Sequence, residues 1–228
     1  MRLDILKGLN EERAARRAVV VITNQDNGAQ RLVRGADVAG DPLRQVIEAH
    51  LRAGQSGVED TPEGKVFFTV HVPSPKLVIT GAVHISQALA PMGHLLGYDV
   101  TIVDPRTAFA SSERFPDVKV IAEWPDVALP QVGIDCYTAF VALTHDPKID
   151  DPGLDAALKS DYFYIGALGS RKTHARRLER LKTERGFTDN DLGRIHAPIG
   201  LDIEAESPAE IAVAIMGQIV QAMRQEPT

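Results

Sequence analysis

Four short segments of this chain combine residue types that could hold a small ligand. They are Gly81-Ala82-Val83-His84, Asp104-Pro105-Arg106, Thr144-His145-Asp146 and the stretch GALGSRKTH from Gly166 to His174. The first lies inside VITGAVHIS (78–86), where a β-type run meets glycine and a helix is predicted from about His84. A dinucleotide fingerprint wants glycine at the positions of Gly81, Val83 and Ser86, and only the first is glycine. Gly81 can make the tight turn, and Ser86 is small enough for helix to pack on strand. Val83 is the obstacle. Its side chain stands where backbone would approach a pyrophosphate, and a β-branched residue tolerates a positive φ badly. The turn is thus a weak signal for NAD(P), though the nucleotide-type fold does not depend on it.

Asp104 follows Gly81 by 23 residues, near the spacing of the acid that holds a ribose hydroxyl. It reads equally well as an Asp-Pro turn that ends a strand. Arg106 could meet a phosphate or lie in solvent. Thr144, His145 and Asp146 are consecutive, so they cannot all face one way and are no catalytic triad. Two polar groups facing a cleft is one reading, and a hydrogen-bonded loop start at Asp146 before Pro147 is the other.

The segment from Gly166 carries the strongest local signal. Gly166 and Gly169 allow close backbone approach. Ser170 can cap a helix whose first turn holds Arg171, Lys172 and His174. Free N–H groups at a helix start attract anions, whereas cations there oppose the helix dipole and need another reason to be present. From 171 to 185 there are seven Arg or Lys and two Glu, in a chain of formal charge −6. Arg180, Lys182 and Arg185 read as a solvated face, with Ala175, Leu178 and Leu181 turned inward. The predicted anion site is therefore Gly166 to His174.

The elements that must position these segments are legible in outline. Residues 3–17 carry Leu3, Leu6 and Leu9 at near-helical spacing; AVVVIT (18–23) reads as a strand and QRLVR as its return after the DNG turn. Pro42 opens a predicted helix to about Ala53, and KVFFTVHV (65–72) is a further strand. PSP (73–75) then marks a boundary, giving an α+β N-terminal domain, 1–73, and a second domain, 76–228. In the second, strands are expected at KLVIT, YDVTIVD, 118–122, 139–144 and 163–168. Unbroken apolar strands separated by helices imply a parallel sheet covered on both faces, with ligands at the carboxyl ends of its strands. Ser207, Pro208 and Glu210 mark a capping box for a last helix to about Arg224.

Composition narrows the classes. No apolar run approaches the roughly 20 residues of a membrane span. Residues 1–17 lack a signal-peptide core, so a cytoplasmic location is expected. Cys136 is the single cysteine, which excludes an internal disulfide and a Cys-based zinc cluster. The acidic balance argues against bulk nucleic-acid binding.

GAVHISQALAPMGHLLGYDVTIVDPRTAFASSERFP, ALTHDPKIDD, YIGALGSRKTHARRLERL and RIHAPIGLDIEAESPAEIAVAIMGQI resemble, in order, the blocks of the xanthine dehydrogenase accessory protein family, XdhC/CoxI. The resemblance covers about residues 76–224. It implies a Rossmann-type C-terminal domain and a role in maturing molybdenum hydroxylases such as xanthine or carbon monoxide dehydrogenase. Family members are held to bind molybdenum cofactor (molybdopterin), assist its sulfuration with a cysteine desulfurase and deliver it to the apoenzyme. A homodimer is expected. Many members read Gly-Ala-Gly-His where this chain has Val83, and many carry a Gly-Gly-Cys segment in an N-terminal domain. The 73 residues here contain no cysteine, so a companion protein is expected to supply that segment. The leading reading is a non-catalytic accessory factor that binds a pterin or nucleotide phosphate. An NAD(P)-dependent oxidoreductase and a ligand-free interaction module are the alternatives. For the oxidoreductase, His84, His145 and His174 are the candidate proton donors.

Overall fold

The structure, a computed structural model, describes residues 2–225. The chain folds as two compact units, Met1–Pro73 and Ser74–Thr228. The first begins with helix α1 (Leu3–Ala14), followed by strands β1 (Val19–Asn24) and β2 (Gln30–Arg34). A 3-10 turn (Gly35–Gly40), helix α2 (Arg44–Ala53) and the hairpin of β3 (Gly57–Thr61) and β4 (Gly64–His71) complete it. The sheet is antiparallel, in the order β2-β1-β4-β3.

β1 explains why its residues form an unbroken apolar run. Val20 and Ile22 pack with Val38, Leu43, Ile47 and Phe68 on the α2 face. Val19 and Val21 pack with Ile5 and Leu9 of α1 on the other. Alternating side chains point to opposite faces, so a strand covered twice has no polar positions. The buried stripe of α1 is Ile5, Gly8, Leu9 and Glu12, whereas Leu3 and Leu6 are exposed. The expected Leu3-Leu6-Leu9 stripe is therefore corrected: a rise of three residues drifts off the face that a rise of four keeps. α2 starts at Arg44 rather than Pro42, because Leu43 is its N-cap. β3 is the strand that the sequence pattern does not reveal; its GVEDT is mostly exposed and carries no apolar alternation.

The second unit is a six-stranded parallel sheet. Its strands are β5 (Lys76–Thr80), β6 (Asp99–Val103), β7 (Lys119–Ile121), β8 (Thr138–Ala142), β9 (Tyr164–Ala167) and β10 (Ile195–His196). In space they run β10-β9-β8-β5-β6-β7. Read from the other edge, this is the Rossmann order 3-2-1-4-5-6; all pairs are parallel, and the strand order reverses between β5 and β8. β10 is a sixth strand, too short to show a pattern of its own. Helices α3 (His84–Leu95) and α8 (Pro208–Arg224) cover the face carrying Leu77, Ile79, Ile102 and Val141. Helices α4 (Pro125–Val132), α5 (Pro147–Leu158) and α6 (Arg171–Arg185) cover the face carrying Val78, Val103, Phe140 and Ala142. A short α7 (Asp189–Leu192) precedes β10. The capping box of α8 is present: Ser207 accepts from Glu210 N, and Glu210 accepts from Ser207 N. Among the described residues no helix is long and apolar enough to cross a membrane.

Both faces of the parallel sheet are covered by helices from residues 84–224, so this unit has its own core. Residues 74–228 expressed alone are expected to give one cooperative thermal transition. A broad, non-cooperative melt of that fragment would contradict this.

Candidate functional site

The loops at the carboxyl ends of β5, β6, β8 and β9 carry the candidate residues. Gly81 has φ +108°, which an L side chain rarely adopts. A Cβ on it would lie 2.7 Å from Thr144 Cγ2 and 3.3 Å from Thr144 N. The glycine thus lets the β5 loop close onto the β8 loop at the point where the strand order reverses. Val83 is extended, with φ −101° and ψ 177°, and serves as the N-cap residue of α3. The expected φ strain at Val83 therefore does not arise, because Gly81 absorbs the turn. Ser86 is fully buried and its hydroxyl donates to Gly81 O, holding the helix start to the turn. His84 is exposed on the first helical position.

Asp104 is fully buried at the end of β6. Its Oδ2 accepts from Ala82 N at 2.8 Å and Arg106 Nη2 at 2.7 Å; its Oδ1 accepts from Arg106 N and Nε, both at 2.9 Å. The carboxylate thus ties the β5 turn to β6. Burial pushes the carboxyl up, but the bonds from Arg106 and from the Ala82 and Arg106 N–H groups together hold it below the usual range. Both oxygens are engaged, so neither is presented to a ribose. Arg106 is held by that pair and lies over the Phe109 ring at 4.5 Å.

The Thr144 hydroxyl donates to Asp150 Oδ1 at 2.6 Å and accepts from Asp146 N at 3.0 Å. Asp146 caps α5 by accepting from Lys148 N at 3.0 Å, which is the loop-start reading of this segment. His145 is exposed and sits at φ +63°. At the end of β9, Gly166 does not serve approach to a ligand. The space where its Cβ would stand holds Ile199 Cδ1 at 2.5 Å and Tyr164 Oη at 2.7 Å. Gly169, at φ +135°, turns the chain into α6. Ser170 caps that helix, accepting from Thr173 N at 3.2 Å. Arg171 and Lys172 are exposed on its first turn, and His174 is half-buried.

A cavity of about 160 Å³ lies between α5 and α6. His145, Asp150 and Asp151 line one side, and Thr173, Arg176, Arg177 and Arg180 the other. Of the residues predicted from sequence, only His145 reaches it. Arg177 is buried at 2% exposure and Asp150 at 1%, their nearest atoms, Nη2 and Oδ2, 3.9 Å apart. Arg177 Nη2 donates to Leu168 O at 2.8 Å, while its Nε and Nη1 and Asp150 Oδ2 are buried without hydrogen-bond partners. Burial pushes the Asp150 carboxyl up, opposed by Thr144, Arg177 and His145. Burial pushes Arg177 down and is also the main cause of a lowered His174. Arg180 grips Asp151 through two bonds, Nε to Oδ2 at 2.7 Å and Nη2 to Oδ1 at 3.1 Å. This corrects the reading of Arg180 as a solvated cation. Ala175, expected to turn inward, is exposed, and Arg177 takes the inward position instead. The spacing His174, Arg177, Leu181 was the available signal: these lie on one face by steps of three and four.

Residues 77–219 match the model of the XdhC Rossmann domain. The chain belongs to the XdhC family. Three curated relatives share its pattern. An uncharacterized protein of Escherichia coli K12, YqeB, is 30% identical over 71% of this chain and 30% of its own length. A Bacillus subtilis protein named as a probable xanthine dehydrogenase subunit is 30% identical over 67% of this chain and 44% of its own. The molybdenum cofactor insertion chaperone PaoD of E. coli K12 is 31% identical over 64% of this chain and 40% of its own. The XdhC chain described here thus spans less than half the length of each. A crystal structure of a protein described as a xanthine dehydrogenase, from Bacillus halodurans, shares the fold. Its TM-score is 0.68 at 23% identity, covering 96% of this chain and 63% of that one.

Two outcomes are expected at this edge. Gly81→Ala combines a disallowed φ with overlap on Thr144 and should cost about 2–4 kcal/mol of stability, read in urea melts. Asp104 has a folded-state pKa below its unfolded value, so its stabilisation is present above the unfolded value and is lost as pH falls through the folded one. Asp104→Asn should therefore lower the melting temperature markedly at neutral pH, and the gap to wild type should narrow below about pH 4. A gap that stays constant with pH would show that the carboxylate charge contributes nothing.

Proposed function

We propose that this chain is an accessory factor that holds molybdenum cofactor on the carboxyl edge of its parallel sheet and assists its insertion into a molybdenum hydroxylase. The observation that carries this reading is the match of residues 77–219 to the XdhC Rossmann domain. It is supported by the resemblance to a relative named as a molybdenum cofactor insertion chaperone. The cofactor is cargo here, and the client is an apoenzyme of the xanthine or carbon monoxide dehydrogenase type. A cysteine desulfurase is the partner for sulfuration, and a companion protein contributes the thiolate that residues 1–73 lack. The factor works as a homodimer.

The geometry favours cargo holding over hydride transfer. The turn at Gly81 is filled by Thr144, and Asp104 spends its oxygens on Arg106 and Ala82. Those are the two places where a Rossmann unit would grip the pyrophosphate and ribose of NAD(P). The exposed candidates on the same edge are His84, His145, Ser170, Arg171 and Lys172, with donors suited to phosphate and to pterin oxygen. The helix start at Ser170 adds free N–H groups beside Arg171 and Lys172.

The test is retention and delivery. Purified protein is mixed with molybdenum cofactor and passed through a desalting column, and the bound pterin is measured by its fluorescence after oxidation. The loaded protein is then added to a cofactor-free molybdenum hydroxylase. Stoichiometric retention and faster activation than with free cofactor are expected. Absence of both would overturn the proposal.

A further inference from the structure

We infer that the cavity between α5 and α6 is an oxyanion subsite built around Arg177, one that takes a phosphate or diphosphate group of the ligand. For the identity of that ligand it rests on the maturation reading. The cavity itself is argued from its lining.

Arg177 is almost wholly buried, yet only Nη2 has a hydrogen bond. A guanidinium in that position needs its remaining N–H groups answered, since unpaired buried donors of a charged group are costly. Asp150 does not answer them. Its Oδ1 is taken by Thr144, and its Oδ2 stands 3.9 Å from Nη2, beyond a hydrogen bond. Asp151 is gripped instead by Arg180 and makes no hydrogen bond to Arg177. Of the lining charges, Asp151 and Arg180 cancel, leaving Arg176 and Arg177 against Asp150 alone. Burial raises the Asp150 carboxyl, against the opposing pull of Thr144, Arg177 and His145. Thr173 adds a hydroxyl, and the His145 ring lines the same space. A space of about 160 Å³ exceeds the room a single water needs by several-fold and suits a tetrahedral oxyanion. Guanidinium forks match phosphate oxygens in pairs.

The probes are inorganic phosphate and pyrophosphate, titrated calorimetrically into the full chain at low salt. The variants are Arg176→Ala, Arg177→Lys, Asp150→Asn and, as a control on the last turn of α6, Arg185→Ala. Saturable pyrophosphate binding is expected. Arg177→Lys should weaken it at least tenfold and Arg176→Ala severalfold, while Arg185→Ala stays within twofold. Arg176 is exposed, so its variant keeps the test valid should Arg177→Lys fail to fold. Asp150→Asn should bind as tightly as wild type or more so. A tenfold loss in Asp150→Asn would instead mark a cation site and overturn the inference. So would absence of saturable binding, or equal effects at 176 and 185. Pyrophosphate binding that follows this pattern in a protein that fails to retain molybdenum cofactor would overturn the maturation reading and leave the subsite standing. Cofactor retention indifferent to Arg176→Ala, with pyrophosphate binding equally indifferent, would do the reverse.

Discussion

The Asp104 carboxylate receives four hydrogen bonds from two separate elements, and the candidate edge is organised around it. One comes from Ala82 N, in the turn after β5. The other three come from Arg106, two residues further along its own strand end. A buried carboxylate is tolerated only when its lone pairs are filled, and here they are filled by backbone and by a guanidinium that the Phe109 ring covers. The turn after β5 is fixed by this bond on one side and by Thr144 against Gly81 on the other. From that fixed turn the start of α3 follows. Arg114 reinforces it by donating to Ala82 O at 2.9 Å. The Rossmann crevice is thereby braced by protein groups at the positions where a dinucleotide would supply them. Polar capacity on this edge is displaced toward β8, β9 and the helices that follow them.

That displacement has a structural basis in α5. Its sequence, PKIDDPGLDAAL, contains two prolines and a glycine, which lower helix propensity. Pro147 sits at the first turn, where its missing N–H is harmless. Gly153 admits the sheet: a Cβ there would stand 2.8 Å from Phe140 Cζ. The helix therefore lies close on β8 and carries Asp150 and Asp151 toward α6. Tertiary packing, rather than local preference, makes this helix.

The fold was legible in the sequence wherever its signal was local. The parallel sheet was readable because strands such as Leu77–Thr80 and Ala139–Ala142 are apolar on both faces. α8 was readable because Ser207, Pro208 and Glu210 form a local device. The turn at Gly81 and its need for glycine were readable, but the close packing of Thr144 against that glycine was not, since Thr144 is distant in sequence. α5 gives no comparable signal, because its helix breakers are neutralised by contacts that no window of sequence contains. β3 lacked alternation, being an exposed edge. Arg177 was missed for a different reason: a cation in a basic run is read as solvated, and only its register with His174 and Leu181 argues otherwise. The residues lining the α5–α6 cavity come from two helices, and their meeting depends on how closely each lies on the sheet.

β1 in the first unit has a consequence of its own. It is paired on both edges, with β2 and β4, and covered on both faces, by α1 and α2. Val19 to Ile22 are buried, so water has little access to their amides while the unit is intact. Deuterium can enter Val20, Val21 and Ile22 only when the whole unit opens, so those three amides are a built-in gauge of its global free energy. The outer strand β3 exchanges through local fraying and reports nothing of the kind. In a domain of about 73 residues, with modest core, that gauge reads any stabilisation conferred by a partner directly.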